Sequence, residues 1–167
     1  MYKLLLIPHS EISEKELKEV IRIKQISWPY NYEDQIKWLR ENLKDDDIHV
    51  LLSLEGDYIG YLNLIKIDLI INGDNVSSLG VGNVCTTIRG KGWGQELMML
   101  SNNYIRKNRK TGLLFCRDRL ENFYGMCKWK KIDNSKLRVG FENSRIISMY
   151  YNYHEPIHHL EFTGKIF

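Results

Sequence analysis

The sequence predicts a mixed α/β domain, an α+β arrangement in which strands and helices share one core. Between residues 13 and 43 apolar residues recur at helical spacing, and from residue 48 they run or alternate as strands do. At 89–94 a glycine-rich turn joins an apolar strand to a second helical stretch. The chain of 167 residues has no long Pro/Ser-rich linker, low-complexity tract or internal repeat, so one domain spanning 1–167 is expected. With 43% hydrophobic and 11% aromatic residues, disorder, collagen and coiled coil are excluded by composition. A chain of this size buries roughly 70% of its unfolded surface and needs no disulfide or structural metal to hold a core.

A short strand at about 2–7 opens the chain. Ser13 and Glu16 then form an S-x-x-E capping box ahead of Leu17, Val20 and Ile21, which share one helical face, and the helix must end before Pro29. Tyr32, Ile36, Leu39 and Leu43 mark a second amphipathic helix that closes in Asp45, Asp46 and Asp47, an acidic run expected to be solvated loop. His49–Leu54 and Tyr58–Ile71 read as strands joined at Glu55-Gly56-Asp57. Asn72-Gly73 is a hairpin signal leading into a third antiparallel strand, Ser77–Thr86. Gly92–Arg109 is expected to be helical, with basic residues near its C-terminus where the dipole favours cations. Leu113–Cys116 fits a buried strand parallel to its predecessor, because a helix is the usual crossover for that geometry. A helix at about 119–127 and strands at about 136–142, 145–153 and 159–166 complete the expected order.

Lys+Arg number 24 and Asp+Glu 21, so the net charge of +3 is no nucleic-acid signature and argues against such a partner. Cys85, Cys116 and Cys127 lack CxxC spacing and encode neither a disulfide framework nor a zinc ribbon. The opening MYKLLLIPH is too short for a signal peptide's apolar region or a membrane span, so a soluble cytoplasmic protein without a membrane partner is expected.

The chemistry concentrates in Asn83–Gln95, a strand running through a glycine-rich turn into a helix. Such a turn presents consecutive backbone N–H groups at a helix N-terminus, where they and the dipole hold a pyrophosphate without side chains. A helix-capping loop that binds nothing has the same glycine count. The spacing is not Walker A, since Lys91 is followed by Gly92, and Gly80-Val81-Gly82 lacks the third glycine of a dinucleotide fingerprint.

Arg89-Gly90-Lys91-Gly92-Trp93-Gly94 matches every fixed position of Arg/Gln-x-x-Gly-x-Gly/Ala, and the chain thereby resembles the GCN5-related N-acetyltransferase (GNAT) superfamily. Gly112-Leu113-Leu114-Phe115-Cys116 followed by Asn122-Phe123-Tyr124 and Trp129 resembles the family's next strand and helix, with Lys128 where a glycine is usual. Residues 76–129 look closest to aminoglycoside 2′-N-acetyltransferases and related small-molecule acyltransferases. The resemblance implies a mixed, mostly antiparallel central sheet splayed between two parallel strands, with helices on both faces. It implies acetyl-CoA as co-substrate, no metal, and transfer of the acetyl group to a primary amine of a small molecule in a ternary complex. Val84, Cys85 and Thr86 would pair with the pantetheine arm, and Arg89, Gly90, Lys91, Gly92, Trp93, Gly94 and Gln95 would hold the pyrophosphate. Asn122 would add a cofactor contact, and a homodimer is allowed.

Acetyl transfer needs a donor for the developing oxyanion and an acid for the departing thiolate. A free strand N–H near Val84–Thr86 suits the first task. Tyr124, with a reference pKa of about 10, suits the second. Cys85 has no His or Asp placed to activate it and reads as a core or cofactor-lining thiol. Ser78–Gly82 carries no glutamate to act as general base. His154-Glu155-Pro156-Ile157-His158 satisfies H-E-x-x-H, but the proline is incompatible with the zinc-binding helix. Arg106–Lys110 and Lys128–Lys131 fit solvated helix ends, or one of them fits the 3′-phosphate of CoA. Glu33, Asp34, Glu41 and Asp45–Asp47 fit either a wall that favours a small cationic acceptor or an ordinary charged helix surface. The rival expectations are a non-catalytic acyl-CoA-binding module and an enzyme using a longer acyl donor.

Overall fold

The computed structural model describes residues 1–140 and 145–167. Its order is β1 (Tyr2–Pro8), α1 (Glu14–Ser27), α2 (Tyr32–Asn42), β2 (Ile48–Leu54), β3 (Asp57–Ile71), β4 (Asp74–Thr86), α3 (Trp93–Lys107), β5 (Thr111–Arg117), α4 (Glu121–Met126), β6 (Lys130–Lys131), β7 (Leu137–Val139), β8 (Ile146–Tyr151) and β9 (Leu160–Phe162). Short 3₁₀ turns occupy His9–Glu11, Asp118–Leu120 and Asn134–Lys136. The architecture is the expected mixed α/β one, with an open, mostly antiparallel sheet. The residues group into two compact units, Met1–Ile65 with Gly82–Leu100, and Lys66–Val81 with Ser101–Phe167.

In the first unit β1 and β2 pair antiparallel from Tyr2↔Leu54 to Pro8↔Ile48, and β2 pairs antiparallel with β3 with a register shift between Leu52 and Ser53. Glu55 and Gly56 turn the β2–β3 hairpin with φ of 55° and 99°. The capping box forms as the sequence predicts. Glu16 N–H donates to Ser13 Oγ at 3.3 Å and Ser13 N–H to Glu16 Oε2 at 2.9 Å. Helix α2 begins on Asn31, whose Oδ1 accepts from Asp34 N–H at 2.8 Å, a cap by a side chain well suited to it. Consecutive strand residues face opposite ways, and Leu97 of α3 packs at Gly60 while Tyr61 points to the other side. One expectation fails here. Asp47 of the acidic run is fully buried, because its Oδ2 accepts from Lys44 N–H at 2.8 Å and closes the turn before β2.

In the second unit β4 and β5 are parallel over Ser78–Gly80 and Thr111–Leu113. β5 pairs antiparallel with β8 from Gly112↔Tyr151 to Arg117↔Ile146, β8 with β6, β9 with the end of β3, and β7 runs parallel to β9. Leu69, Ile71, Leu113, Ile132, Leu160 and Phe162 form the centre of its core. Beyond a hairpin, Asn72 binds the segment before β9. Its Nδ2 donates to Pro156 O at 2.8 Å and its Oδ1 accepts from the N–H groups of His158 and His159 at 2.8 and 3.1 Å.

The C-terminal elements are shorter than the sequence suggests. The strand expected at 136–142 is Leu137–Val139, and residues 141–142 of that expectation lie outside the described residues. The strand expected at 159–166 stops at Phe162, and the helix expected at 119–127 is a 3₁₀ turn followed by α4, separated at Leu120 with φ −97° and ψ 0°. β6 is two lysines with no apolar pattern to announce it. Lys128, standing where the resemblance has a glycine, is left-handed, with φ 71°.

Trp129 is wedged over Gly112. Its Nε1–H donates to Asn102 Oδ1 at 2.9 Å and its ring stacks on Tyr151 with centroids 5.6 Å apart, so it has nowhere to move. A Cβ at Gly112 would stand 2.6 Å from Trp129 Cη2. Gly112→Ala should therefore lower stability by about 1–3 kcal/mol, read as a reduced urea midpoint at unchanged m. Gly125→Ala is the matched control, because a Cβ there meets nothing within 4 Å.

Candidate functional site

The glycine-rich turn leaves β4 from a fixed point. Thr87 N–H donates to Ile59 O at 2.9 Å and Thr87 Oγ1 donates to the same oxygen at 3.3 Å, while Thr86 Oγ1 donates to Ile88 O at 3.1 Å. Gly90 and Gly92 then take φ of 77° and 76°, and a Cβ at either would meet nothing within 4 Å. Glycine is required there by backbone conformation, and the space over the turn is open. The first intrahelical bond of α3 runs from Glu96 N–H to Gly92 O at 3.1 Å, so the Trp93 and Gly94 amides at the start of the helix have no intrahelical acceptor. With the exposed Arg89 and Lys91 on the same turn, this arrangement fits a pyrophosphate.

Upstream, the parallel ladder of β4 with β5 stops at Gly80, whereas β4 continues to Thr86. Asn83, beyond the β5 ladder, takes φ 54° and its Nδ2 donates to Asn63 Oδ1 at 3.3 Å. Val84 and Thr86 are half-buried and Cys85 is buried. Burial pushes the Cys85 thiol up to about 12, so it stays protonated and is no nucleophile at neutral pH. An open cleft of about 620 Å³ lies beside the turn, lined by Ile88 and Trp93 together with Tyr58, Lys15, Glu19 and Arg22. Arg22 is held in place by Glu19 Oε2 at 2.7 Å and by Tyr58 O at 2.9 Å.

Residues 84–95 thus come together in the first unit, and Asn122 and Tyr124 sit on α4 in the second. Asn122 is exposed. Tyr124 is buried, with its ring edge-on to Phe123 at 4.9 Å between centroids, and its carbonyl accepts from Trp129 N–H at 3.1 Å.

The acidic residues expected to attract a cation do not form a one-sign surface. Glu33 and Glu41 share a face of α2 with Lys37 and Arg40, Lys37 Nζ lies 3.9 Å from Glu41, and Asp47 is withdrawn into the core. The H-E-x-x-H segment is an irregular stretch. Among the described residues no group of three or more His, Cys, Asp or Glu is placed to hold a metal ion, and no helix is long and apolar enough to cross a membrane.

A polar line through the core of the first unit went unforeseen. His9 Nδ1 lies 2.9 Å from His49 Nε2, and His49 Nδ1 lies 2.9 Å from the Tyr61 hydroxyl. Lys24 is also buried, its Nζ 4.1 Å from the centre of the Trp38 ring, and burial lowers its pKa to about 8. The spacing from Leu17 and Val20 places position 24 on the buried face of α1, a signal masked by its being lysine.

The class of protein follows from the family to which the sequence belongs. The profile of the acetyltransferase (GNAT) domain family matches residues 9–116, more than half of the chain, which therefore belongs to the GNAT family of N-acetyltransferases. No functionally curated protein matches the sequence significantly. Among solved structures, Escherichia coli ElaA is similar at TM-score 0.64 and 21% identity, over 90% of this chain and 99% of that one. An acyl-CoA N-acyltransferase from Pseudomonas aeruginosa is similar at TM-score 0.65 and 18% identity, again over 90% and 99%. Campylobacter jejuni N-acetyltransferase PseH gives 0.58 and 16%, over 89% and 96%. At these identities the likeness is one of fold.

Proposed function

We propose that the protein transfers an acetyl group from acetyl-CoA to a primary amine of a small molecule, by direct attack with both substrates bound. The observation that carries this reading is the Arg89–Gly94 turn, with Gly90 and Gly92 left-handed and open space above them at the start of α3. In this reading the turn and Gln95 hold the pyrophosphate, the backbone of Val84, Cys85 and Thr86 pairs with the pantetheine arm, and Asn122 adds a polar contact. Past the end of its ladder with β5, the β5-side edge of β4 offers an N–H to the thioester oxygen as negative charge develops there. Tyr124 gives its proton to the sulfur that leaves. The thioester supplies an acyl carbon that an uncharged amine can attack, and the protein's task is to orient it.

The test is thermal shift with acetyl-CoA, longer acyl-CoAs and CoA, followed by an amine panel of polyamines, aminoglycosides, amino acids, a basic peptide and aminoacyl-tRNA. A shift with acetyl-CoA and turnover of a small amine is expected. Binding without turnover of any amine would establish a binding module instead. Larger shifts with longer chains would move the donor assignment, and preference for aminoacyl-tRNA would overturn the acceptor class.

A further inference from the structure

A glycine inside a strand weakens it and marks a place where another group comes close. Gly80 of β4 is such a glycine. Its backbone is not left-handed, yet a Cβ there would stand 2.6 and 2.7 Å from Cε1 and Cε2 of the Phe167 ring and nearer still to Cζ. No side chain fits beneath that ring, which gives Gly80 a use that its incomplete dinucleotide motif did not. Gly80 is also the last β4 residue paired with β5, opposite Leu113, and Phe115 lies two residues further along β5. The Phe115 and Phe167 ring centroids are 5.3 Å apart, so one ring reaches from the final rung on β4 to the β5 residue just past it. Phe162 closes the group, 5.7 Å from each of the other two.

We propose that Phe167 is the end wall of the acyl compartment and sets how long an acyl group the donor can carry, an inference that rests on the acetyltransferase reading. In that reading the pyrophosphate lies at Arg89–Gln95 and the pantetheine arm runs back along Thr86, Cys85 and Val84. The thioester end is then directed along β4 toward Gly80, which lies about 13 Å beyond Val84 at the rise of a strand. An acyl chain growing from the thioester along the β5-side edge of β4 has space only until it meets the rung at Gly80 and the ring over it.

The chemistry of the wall suits this task. Phe115, Phe162 and Phe167 pack with the apolar core around Leu113 and Leu160, so the wall is hydrocarbon. Each methylene buried against such a surface is worth about fourfold in affinity. An acetyl group ends before the wall and gains nothing from it. A longer chain would need the space that the Phe167 ring fills, and shortening that side chain opens it. Phe167 is half-buried and its side chain makes no hydrogen bond, so its truncation leaves no polar group unpaired.

The experiment measures dissociation constants of acetyl-CoA and octanoyl-CoA by calorimetry on the full chain, without an acceptor. The unmodified protein should bind octanoyl-CoA no more tightly than acetyl-CoA. In Phe167→Ala the octanoyl-to-acetyl affinity ratio should rise by about 10-fold or more, the gain from two or more methylenes. Phe167→Leu, which keeps an apolar side chain in the core, should shift the ratio the same way by less. Contacts between octanoyl methylene protons and the Phe115 ring should appear in the nuclear Overhauser spectrum of Phe167→Ala. A ratio equal in all three proteins, or a gain without the Phe115 contact, would overturn the inference alone, since acetyl-CoA binding would still support the acetyltransferase reading. A preference of the unmodified protein for octanoyl-CoA would overturn it as well. An unmodified protein that binds neither acyl-CoA would overturn that reading and this inference with it.

Discussion

Gly92→Val is expected to abolish acetyl-CoA binding while leaving a folded protein. At φ 76° the backbone of residue 92 is left-handed, which costs an ordinary L residue roughly 1–2 kcal/mol and a β-branched one more. A Cβ at residue 92 would meet no protein atom within 4 Å, so the change falls on the turn and on the space above it. The carbonyl of residue 92 also accepts the first bond of α3 from Glu96, so any relaxation of its backbone turns the free amides away from a common point. A ligand at 100 times its dissociation constant stabilises by about 2.7 kcal/mol, or about 5–10 °C in a domain of this size. That shift should be present in the unmodified protein and absent in the variant. A normal shift in the variant would remove the turn from the binding site.

Tyr124→Phe should lower turnover by about 10²-fold or more with the acetyl-CoA shift intact. The substitution keeps the ring edge-on to Phe123 and removes only the hydroxyl. A phenol of reference pKa about 10 is close enough to a thiol of about 8.5 to protonate the leaving sulfur efficiently, and phenylalanine has no proton to give. The measurement is single-turnover acetyl transfer, which isolates chemistry from product release. An unaltered rate would reduce Tyr124 to a packing residue.

Local signals carried most of what could be read in advance. The Ser13 and Glu16 box, Pro29, Asn72-Gly73 and the glycines at 90 and 92 each act within a few residues, so their conformational consequences are visible in the sequence. What remained hidden depends on partners far along the chain. β9 exists because it pairs with both β3 and β7, and His49 is buried because residues 40 positions before it and 12 after it arrive at its two ring nitrogens. Asp47 looked like surface because two aspartates precede it, and only the Lys44 amide distinguishes it from them. The left-handed glycine turn was legible because backbone conformation alone demands its glycines, whereas α2, expected to contribute an acidic acceptor wall, interleaves both signs of charge.

Asn72 also sets how the protein ages. An asparagine followed by glycine is the sequence most prone to lose its amide nitrogen, because the unhindered Gly73 nitrogen can attack the side-chain carbonyl. Conversion of Asn72 to aspartate would place an oxygen where Nδ2 now donates to Pro156 O at 2.8 Å, turning a hydrogen bond into a repulsion. The other side-chain oxygen would still accept from His158 and His159. A stored sample would therefore loosen first at the Pro156 end of the segment that leads into β9, well away from the glycine turn in the sequence, and would lose tertiary order there while the Arg89–Gly94 turn was still chemically intact.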